Sequence, residues 1–234
     1  MLENLITSGT AIPTASSTRE PPLIERANPG LHEMLLTHLP QNLRRDAAIL
    51  DLGCGTGAWL ARLAGRGFIN LTGIDCDTGH TAVPGARMVR ADLNGDWGLQ
   101  GHYSLITAIE VIEHIENLGS FFDGIAKHLG EHGVAILTTP NIESIASRLR
   151  FLLLNQLKQF DSIGDATHLF PVVTATLPRV IERRGLRVAA AWGYPRTGHT
   201  HTSRAAVNLL SAILRTVLPE PIPGDNLCLL LERR

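Results

Sequence analysis

Residues 47–57 read AAILDLGCGTG, an apolar run that breaks into alternating glycines. The run is short enough for a buried β-strand, and an apolar stretch with helical character follows at 58–64. Glycines between a strand and a helix let the backbone approach a ligand at the helix N-terminus, where free N–H groups favour a negative group. The stretch therefore predicts a strand, a ligand-binding glycine turn and a helix, in that order.

Short apolar segments continue this alternation along the chain. They predict six further strands, at 70–74, 86–90, 103–109, 133–138, 186–192 and 227–231. Helical spacing of apolar residues predicts helices at 31–39, 118–129, 145–160 and 206–217. Strands that alternate with short crossovers favour a parallel sheet with helices on both faces, which is a doubly wound α/β fold of the Rossmann-like type.

The composition is that of an ordinary globular protein: 234 residues, 44% of them hydrophobic and 18% charged. Lys and Arg number 21 against 22 Asp and Glu, so no broad positive field is available and a nucleic-acid partner is not expected. No apolar run approaches the ~20 residues of a transmembrane helix. The three cysteines make an odd count, which is not typical of a disulfide-bonded secreted protein, and the first residues lack a secretory pattern. We therefore expect a cytoplasmic protein with a mobile leader at 1–30 and one domain at 31–234.

The glycine turn alone does not identify its ligand, because Gly53, Gly55 and Ala58 also satisfy the relaxed dinucleotide fingerprint. Asp51 lies two residues before the first glycine, where its carboxylate repels a pyrophosphate. A zwitterionic amino-acid group fits better, with its ammonium near the acid and its carboxylate near the amides. S-adenosylmethionine has this charge layout and NAD does not, so an adenosyl ligand is favoured, with an NAD(P) oxidoreductase as the rival.

Two further acids follow predicted strands at the same edge of the sheet. Asp75 comes 22 residues after Gly53, where a carboxylate accepts hydrogen bonds from both ribose hydroxyls. Asp92 is positioned to accept a hydrogen bond from an adenine amino group. Each acid alone is typical of a solvated loop, but three acids at successive strand ends favour an adenosyl-binding site.

From about residue 31 onwards the chain resembles the class I S-adenosylmethionine-dependent methyltransferase family. Residues 49–57 (ILDLGCGTG) look like its first motif, 73–75 (GID) like its second and 91–93 (ADL) like its third. The resemblance implies a seven-stranded sheet whose last strand, 227–231, is antiparallel, and S-adenosylmethionine as the cofactor. It also implies cofactor contacts at the matching positions, which are Asp51, Gly53, Gly55, Asp75, Asp92 and Leu93, with the small side chains of Cys54 and Cys76 beside the cofactor.

The fourth predicted strand leads into Glu110-Val111-Ile112-Glu113-His114. If a helix begins there, Glu110, Glu113 and His114 share one face at the carboxyl edge of the sheet, where α/β sites form. Such a set could hold a divalent metal ion. It could equally supply a cofactor contact at Glu110, a helix-start acid at Glu113 and a base at His114.

This element, with Thr139-Pro140-Asn141 and Asp165-x-x-His168-x-Phe170, is similar to a subset of the family. The subset includes ubiquinone-pathway O-methyltransferases and small-RNA 3′-end 2′-O-methyltransferases. In both groups the matching acids and histidine bind a divalent metal, and the RNA enzymes add a later histidine that resembles His168. Many relatives with the same residues are metal-free, so the metal stays open here, and the candidate catalytic residues are Glu113, His114 and His168.

The expected function is methyl transfer to a hydroxyl oxygen of a small molecule, a glycan or a lipid precursor. The alternatives are a metal-assisted RNA 3′-end 2′-O-methyltransferase and a non-catalytic adenosyl-binding protein. An RNA enzyme needs a basic stripe, whereas the clustered arginines lie well after the cofactor motifs and are typical of a solvated face: Arg179, Arg183, Arg184 and Arg187.

An insertion at 142–170 interrupts the alternation of strands and helices and contains the amphipathic helix predicted at 145–160. Packing on the core, a lid over the substrate and contact with a membrane surface are the three interpretations, in that order. The apolar stripe at 206–217 is buried either internally or against a second subunit, which leaves a homodimer open.

Overall fold

The computed structural model describes residues 23–78, 83–161, 165–195, 205–220 and 222–234. Residues 1–22 of the leader predicted at 1–30 lie outside the described residues. Residues 23–30 differ from that expectation, because Ile24 exchanges two backbone hydrogen bonds with the Thr56 hydroxyl (2.9 and 3.1 Å) and the buried Asn28 donates to Asn226. The folded part of the chain therefore begins before residue 31.

One seven-stranded sheet forms the centre of the described structure. Its strands are β1 (Ile49–Leu52), β2 (Leu71–Asp75), β3 (Arg87–Arg90), β4 (Tyr103–Ile109), β5 (Leu129–Pro140), β6 (Leu186–Tyr194) and β7 (Asn226–Arg233). The spatial order is β3-β2-β1-β4-β5-β7-β6; the first five strands pair in parallel, and β7 runs antiparallel to both neighbours. The predicted Rossmann-like α/β fold with an antiparallel last strand is confirmed.

The described residues also contain helices that connect these strands. They are α1 (Leu31–Thr37), α2 (Ala58–Gly65), a 3-10 helix (Ile112–His114), α3 (Leu118–His128), α4 (Ile145–Leu154), α5 (Leu177–Glu182) and α6 (Ala205–Leu214). The helix predicted at 145–160 is shorter than expected. It ends at Leu154 because Asn155 takes a left-handed conformation (φ 53°) and its N–H closes the last turn on the Phe151 carbonyl.

Apolar side chains cover both faces of the sheet. Leu50 of β1 points to the face on which α3 packs Phe121, whereas Ile49 points to the opposite face, which α1 and α2 cover with Leu31 and Leu60. All five side chains are fully buried. The alternation explains why the central strands read as continuous apolar runs, since both of their faces lie in the core.

The parallel register aligns the carboxyl ends of the central strands. Leu52, the last residue of β1, is paired with Ile74 of β2 and with Ala108 of β4. The residues that follow these three positions therefore meet at one edge of the sheet, which is where ligands bind in open α/β folds.

Two helices carry apolar side chains that the core does not cover. Ile145 in the first turn of α4 is buried as predicted, but residues 151–154 in its last turn are exposed. Leu210, Ile213 and Val217 of the stripe predicted at 206–217 are exposed too, so internal burial of that stripe is wrong at these positions. No helix in the described part of the chain is long and apolar enough to cross a bilayer.

Two glycines give a matched test of the packing beneath the glycine turn. A β-carbon on Gly73 of β2 would lie 2.6 Å from Met88 Cε and 2.8 Å from both Cys54 Sγ and Leu60 Cδ1, whereas one on Gly65 of α2 meets open space. We expect Gly73→Ala to lower the free energy of unfolding by about 1–3 kcal/mol through overpacking. Gly65→Ala should raise it by about 0.5–1 kcal/mol. Urea unfolding measures both, and equal stability of the two variants would contradict the packing.

Candidate active site

A cavity of about 880 Å³ opens at the carboxyl edge of the sheet. Residues 24–28, the glycine turn after β1, the ends of β2 and β4, and parts of the insertion form its walls. Every predicted cofactor residue lines it: Asp51, Gly53, Cys54, Gly55, Asp75, Cys76, Asp92, Leu93 and Glu110. Two of the three candidate catalytic residues, His114 and His168, also line it.

Gly53 and Gly55 of the turn have left-handed backbone conformations, with φ of 67° and 52°. A side chain on Gly53 would lie 2.6 Å from Val111 Cγ2, so packing alone requires glycine there. A β-carbon on Gly55 would meet open space within 4 Å among the described residues, which leaves room for a ligand against the turn. The Gly55 N–H donates to Asp75 Oδ2 (2.8 Å) and ties the turn to the end of β2.

Asp51 lies in β1 beneath the turn, with 3% of its surface exposed. Its Oδ1 accepts a hydrogen bond from the Thr107 hydroxyl (2.7 Å), whose oxygen accepts one from the Trp59 indole N–H (3.1 Å). Burial raises the pKa of Asp51 to about 7; the Thr107 hydrogen bond opposes this shift and the nearby Asp75 adds to it. A cationic ligand group beside Asp51 would hold the carboxyl group ionised, as the ammonium predicted from the sequence would do.

Asp75, the last residue of β2, and Asp92, just after β3, are held by local hydrogen bonds. Oδ1 of Asp75 accepts from the Asp77 N–H (3.0 Å). Oδ1 of Asp92 accepts from both the backbone and the side-chain N–H groups of Asn94 (2.9 and 3.1 Å). These bonds orient both acids beside the cavity, and their roles toward ribose and adenine stay predictions.

Glu110 has a φ of 54°, a left-handed conformation that a β-carbon disfavours. Its Oε1 accepts from the Thr138 hydroxyl (2.8 Å) and its Oε2 from the Asn226 amide (2.7 Å). Burial raises the pKa of Glu110 to about 7, although these two hydrogen bonds lower it. Strained backbone of this kind clusters at functional sites, where the surrounding hydrogen bonds enforce it.

The structure corrects the arrangement predicted for Glu110, Glu113 and His114. They do not share one helix face, because Glu110 is left-handed and only residues 112–114 form a short 3-10 helix. Glu113 and His114 instead meet His168 of the insertion, with one potential ligand atom of each lying within 4.8 Å of the other two. His168 thus completes the cluster, and Glu110 stays outside it.

Glu113 is fully buried, and neither of its carboxyl oxygens meets the geometry of a hydrogen bond within the described residues. Burial, followed by repulsion from Glu110, raises the pKa of Glu113 well above its usual range, although the Glu113 backbone and the nearby Thr139 hydroxyl lower it. A buried carboxyl group without a partner is costly. Its retention beside two imidazoles indicates a bound cation or a proton shared within the cluster.

Backbone carbonyls set the tautomers of the two histidines. His114 Nδ1 lies 3.0 Å from the Thr167 carbonyl oxygen and His168 Nδ1 lies 2.8 Å from that of Gln159. Because a carbonyl oxygen only accepts, each Nδ1 carries a proton, and the neutral form of each ring would present a lone pair on Nε2. Burial lowers the pKa of His114, the Thr167 bond raises it and His168 lowers it, so the ring is neutral at pH 7.

These three side chains fit a divalent cation. A carboxylate and two imidazole lone pairs are donors typical of such sites, and hydrogen bonds from the opposite ring nitrogens to backbone carbonyls orient metal-binding histidines. The buried carboxyl group of Glu113, whose raised pKa favours the neutral form, would ionise beside a bound cation.

Sequence reasoning missed the residues that close the cavity from two sides. Residues 24–28 were expected in the leader, yet they line the cavity, and Glu25 among them pairs with Arg62. Arg150 and Lys158 line the cavity from the insertion. No local sequence motif identifies residues 24–28 as cavity residues. For Arg150 and Lys158, the one available signal was a cationic side chain within an apolar helical pattern.

A family model described as a methyltransferase domain matches residues 24–191. Ubiquinone biosynthesis O-methyltransferases of Rickettsia akari and Rickettsia conorii are 32% identical over 130 residues and 35% identical over 101 residues. The matches cover 51% and 40% of this chain and 51% and 35% of those proteins. The chain thus spans about half the length, or less, of these curated relatives.

Solved structures share the architecture at low sequence identity. A SAM-dependent methyltransferase from Archaeoglobus fulgidus has a TM-score of 0.61 at 16% identity, covering 86% of this chain and 92% of its own. A TehB-like SAM-dependent methyltransferase from Corynebacterium glutamicum has a TM-score of 0.54 at 19% identity, covering 88% of both chains.

The fold is that of class I S-adenosylmethionine-dependent methyltransferases. The chain belongs to the methyltransferase-domain family, whose model it matches over more than half of its length.

The residues present fit S-adenosylmethionine as cofactor. Asp51 is a buried acid with a raised pKa, suited to an ammonium group, and the open side of Gly55 accepts close approach of the amino-acid part. Asp75 and Asp92 follow in the order in which ribose and adenine would extend along the strand ends. This cofactor supplies a methyl group bonded to a positively charged sulfur atom, from which the methyl group is transferred.

Asp51 predicts a pH-dependent affinity for S-adenosylhomocysteine. The free protein holds a proton on Asp51 up to about pH 7, and the ligand ammonium favours the carboxylate, so binding releases that proton and affinity rises between about pH 6 and pH 8. Asp51→Asn should bind about tenfold more weakly at the higher pH and lose the proton release. Calorimetry in buffers of different ionisation enthalpy measures both quantities.

Asp92→Asn is the matched control, because Asp92 is exposed and is expected at the opposite end of the ligand. This variant should bind more weakly yet release the same proton as the unmodified protein. An unchanged proton release in Asp51→Asn would disprove the role given to Asp51.

Proposed function

We propose that this chain transfers the methyl group of S-adenosylmethionine to a hydroxyl oxygen of a small molecule. The observation that carries the proposal is one cavity that joins the glycine-turn end to His114 and His168 beside the buried Glu113. The resemblance to the Rickettsia ubiquinone biosynthesis O-methyltransferases supports an oxygen acceptor.

In the proposed reaction the acceptor oxygen attacks the sulfonium methyl carbon in line with the departing sulfur. The C–S bond breaks, the C–O bond forms and S-adenosylhomocysteine leaves. The hydroxyl proton passes to Nε2 of His114, whose lowered pKa keeps that nitrogen unprotonated at neutral pH. His168, whose ring centre lies 4.7 Å from that of His114, orients the acceptor beside it. Holding the oxygen about 3 Å from the methyl carbon supplies the main part of the acceleration.

Glu113, His114 and His168 would alternatively hold a divalent cation, which would occupy Nε2 of His114, so that His114 would then be a ligand and not the base. When bound, the cation would lower the pKa of an acceptor hydroxyl and neutralise Glu113. Glu110 keeps its hydrogen bonds to Thr138 and Asn226 and belongs to the cofactor end of the cavity.

The insertion at 142–170 forms the end of the cavity where the acceptor would bind, and we propose that this insertion acts as a lid. Arg150 and Lys158 bring two cations to the cavity, each already paired with an acid, Asp161 and Asp225. Cytoplasmic action is part of the proposal, supported by three free thiols, at Cys54, Cys76 and Cys228.

Transfer of tritiated methyl groups tests the function. We expect label from S-adenosylmethionine in catechol-type phenols, and none in anilines of the same shape that lack the hydroxyl group, because the histidine pair is suited to removing a hydroxyl proton. Scintillation counting of organic extracts and mass spectrometry of the product measure the transfer. Label that enters the anilines, or RNA added in the same assay, would overturn the proposal.

The histidine pair predicts a selective loss of turnover. On an acceptor found in that assay, His114→Ala and His168→Ala should each lower kcat by about 10²–10⁴, the usual contribution of a positioned acid or base, while the affinity for S-adenosylhomocysteine stays unchanged. His102→Ala is the control, because His102 is exposed at the opposite edge of the sheet. Steady-state kinetics and calorimetry give the two readouts.

An unchanged kcat in His114→Ala would remove His114 as the base. Activity that is lost on dialysis against a chelator and restored by Mg²⁺ or Mn²⁺ would assign the cluster to a metal ion, and Glu113→Gln should then raise the metal concentration needed for half-maximal activity without changing S-adenosylhomocysteine binding.

A further inference from the structure

Asn226 is the first residue of β7, and the antiparallel direction of that strand places it at the carboxyl edge of the sheet. A parallel strand brings its last residue to this edge, so the reversal of β7 is what delivers its first residue there. Asn226 pairs with Pro140 of β5, and its side chain therefore lies on the same face of the sheet as that of Thr138. The last strand thus supplies a fully buried amide beside the residue that follows β4.

Both ends of the Asn226 amide are engaged in hydrogen bonds. Its Nδ2 donates to Glu110 Oε2 (2.7 Å), and its Oδ1 accepts from Nδ2 of Asn28, which lines the cavity. A carboxylate only accepts hydrogen bonds, so the contact with Glu110 fixes which end of the amide faces it, and the oxygen then faces Asn28. Asn226 therefore has one orientation in which all of these groups are satisfied.

The Glu110 carboxylate is held from two sides. The Thr138 hydroxyl donates to its Oε1 and the Asn226 amide to its Oε2, and both hydrogen bonds favour the charged form of the group. Each oxygen keeps a second lone pair, and Glu110 lines the cavity. These bonds fix a negative charge on the cavity wall, outside the cluster of Glu113 and the two histidines.

A fixed negative charge on this wall acts differently on the cofactor and on its product. S-adenosylmethionine and S-adenosylhomocysteine share the amino-acid and nucleoside groups and differ in one methyl group and in the positive charge that it brings to sulfur. A carboxylate in a partly desolvated cavity attracts the sulfonium and has no comparable attraction for the neutral thioether. Its placement therefore affects the preference for one ligand over the other.

We propose that Asn226 is a positioning residue that makes the site prefer the sulfonium cofactor to the thioether product, by holding the Glu110 carboxylate on the cavity wall. Asn226 acts through Glu110, because it is fully buried and does not belong to the described residues that line the cavity. The inference rests on S-adenosylmethionine as the cofactor and not on the acceptor. A failure to methylate hydroxyl groups therefore leaves it unaffected, since ligand affinities are measured without an acceptor.

Loss of the amide should change the two affinities unequally. We expect Asn226→Leu to weaken binding of S-adenosylmethionine by about tenfold and that of S-adenosylhomocysteine by less than about threefold, because the Glu110 carboxylate is no longer held in place. Asn70→Leu is the matched control, since Asn70 is exposed before β2 at the opposite edge of the sheet, and it should change neither affinity. Calorimetry with each ligand measures both constants.

A reciprocal exchange separates the charge of Glu110 from the hydrogen bonds that hold it. In the double variant Glu110→Gln with Asn226→Asp, the new amide donates to the new carboxylate and accepts from Thr138, and the new carboxylate still accepts from Asn28. Every hydrogen bond is kept, whereas the negative charge moves from the cavity wall into β7. We expect S-adenosylmethionine to bind about tenfold more weakly and S-adenosylhomocysteine to bind within about twofold of the unmodified protein.

Two results would overturn the proposal. Equal loss of both ligands in Asn226→Leu would show that Asn226 supports the fold alone, and an unchanged affinity for S-adenosylmethionine in the double variant would show that the charge of Glu110 selects nothing. Urea unfolding verifies that each variant is folded. The double variant decides the question even if Asn226→Leu unfolds, because it retains the hydrogen bonds of the network.

Discussion

Desolvation of carboxyl groups at one edge of the sheet is the constraint on which the site depends. Asp51 of β1, Glu110 after β4 and Glu113 in the 3-10 helix are removed from water, and burial is the first cause of the raised pKa of each. Asp51 keeps its proton to about pH 7 in the fold and releases it near 3.8 when unfolded, so its contribution to stability is lost as pH rises between these values. A positively charged ligand reverses that loss, which couples binding to the fold.

The two ends of the cavity are built in different ways. The cofactor end rests on backbone geometry: left-handed glycines, a hydrogen bond from Gly55 to Asp75, and residues 24–28 folded over the turn. The reaction end rests on side chains whose hydrogen bonds run to carbonyls of the insertion. The insertion therefore orients His114 and His168, and its helix α4 lines the cavity through Arg150 and exposes apolar side chains in its last turn.

Much of the fold was predictable because its signals are local. Apolar runs that end in Asp or Gly predicted the strands, and the strand-turn-helix at residues 47–64 is as expected. The errors fall where local pattern is weak. Nothing in the sequence around Glu110 reveals its left-handed φ, which the hydrogen bonds from Thr138 and Asn226 impose. The helical spacing of apolar residues continues past Leu154, so the end of α4 at Asn155 was not predictable from the pattern. An apolar stripe on a helix also does not reveal whether the core covers that stripe.

The sequence by itself determined the sheet and the glycine turn after β1, because the spacing of apolar residues and glycines restricts the backbone within a few residues. The tertiary structure alone decided the reaction end, since His114 is oriented by a carbonyl 53 residues away and meets His168, not Glu110. It alone also showed that the first turn of α4 is buried while its last turn is exposed. Contacts over such distances depend on how strands and insertions assemble, and periodicity along the chain does not encode them.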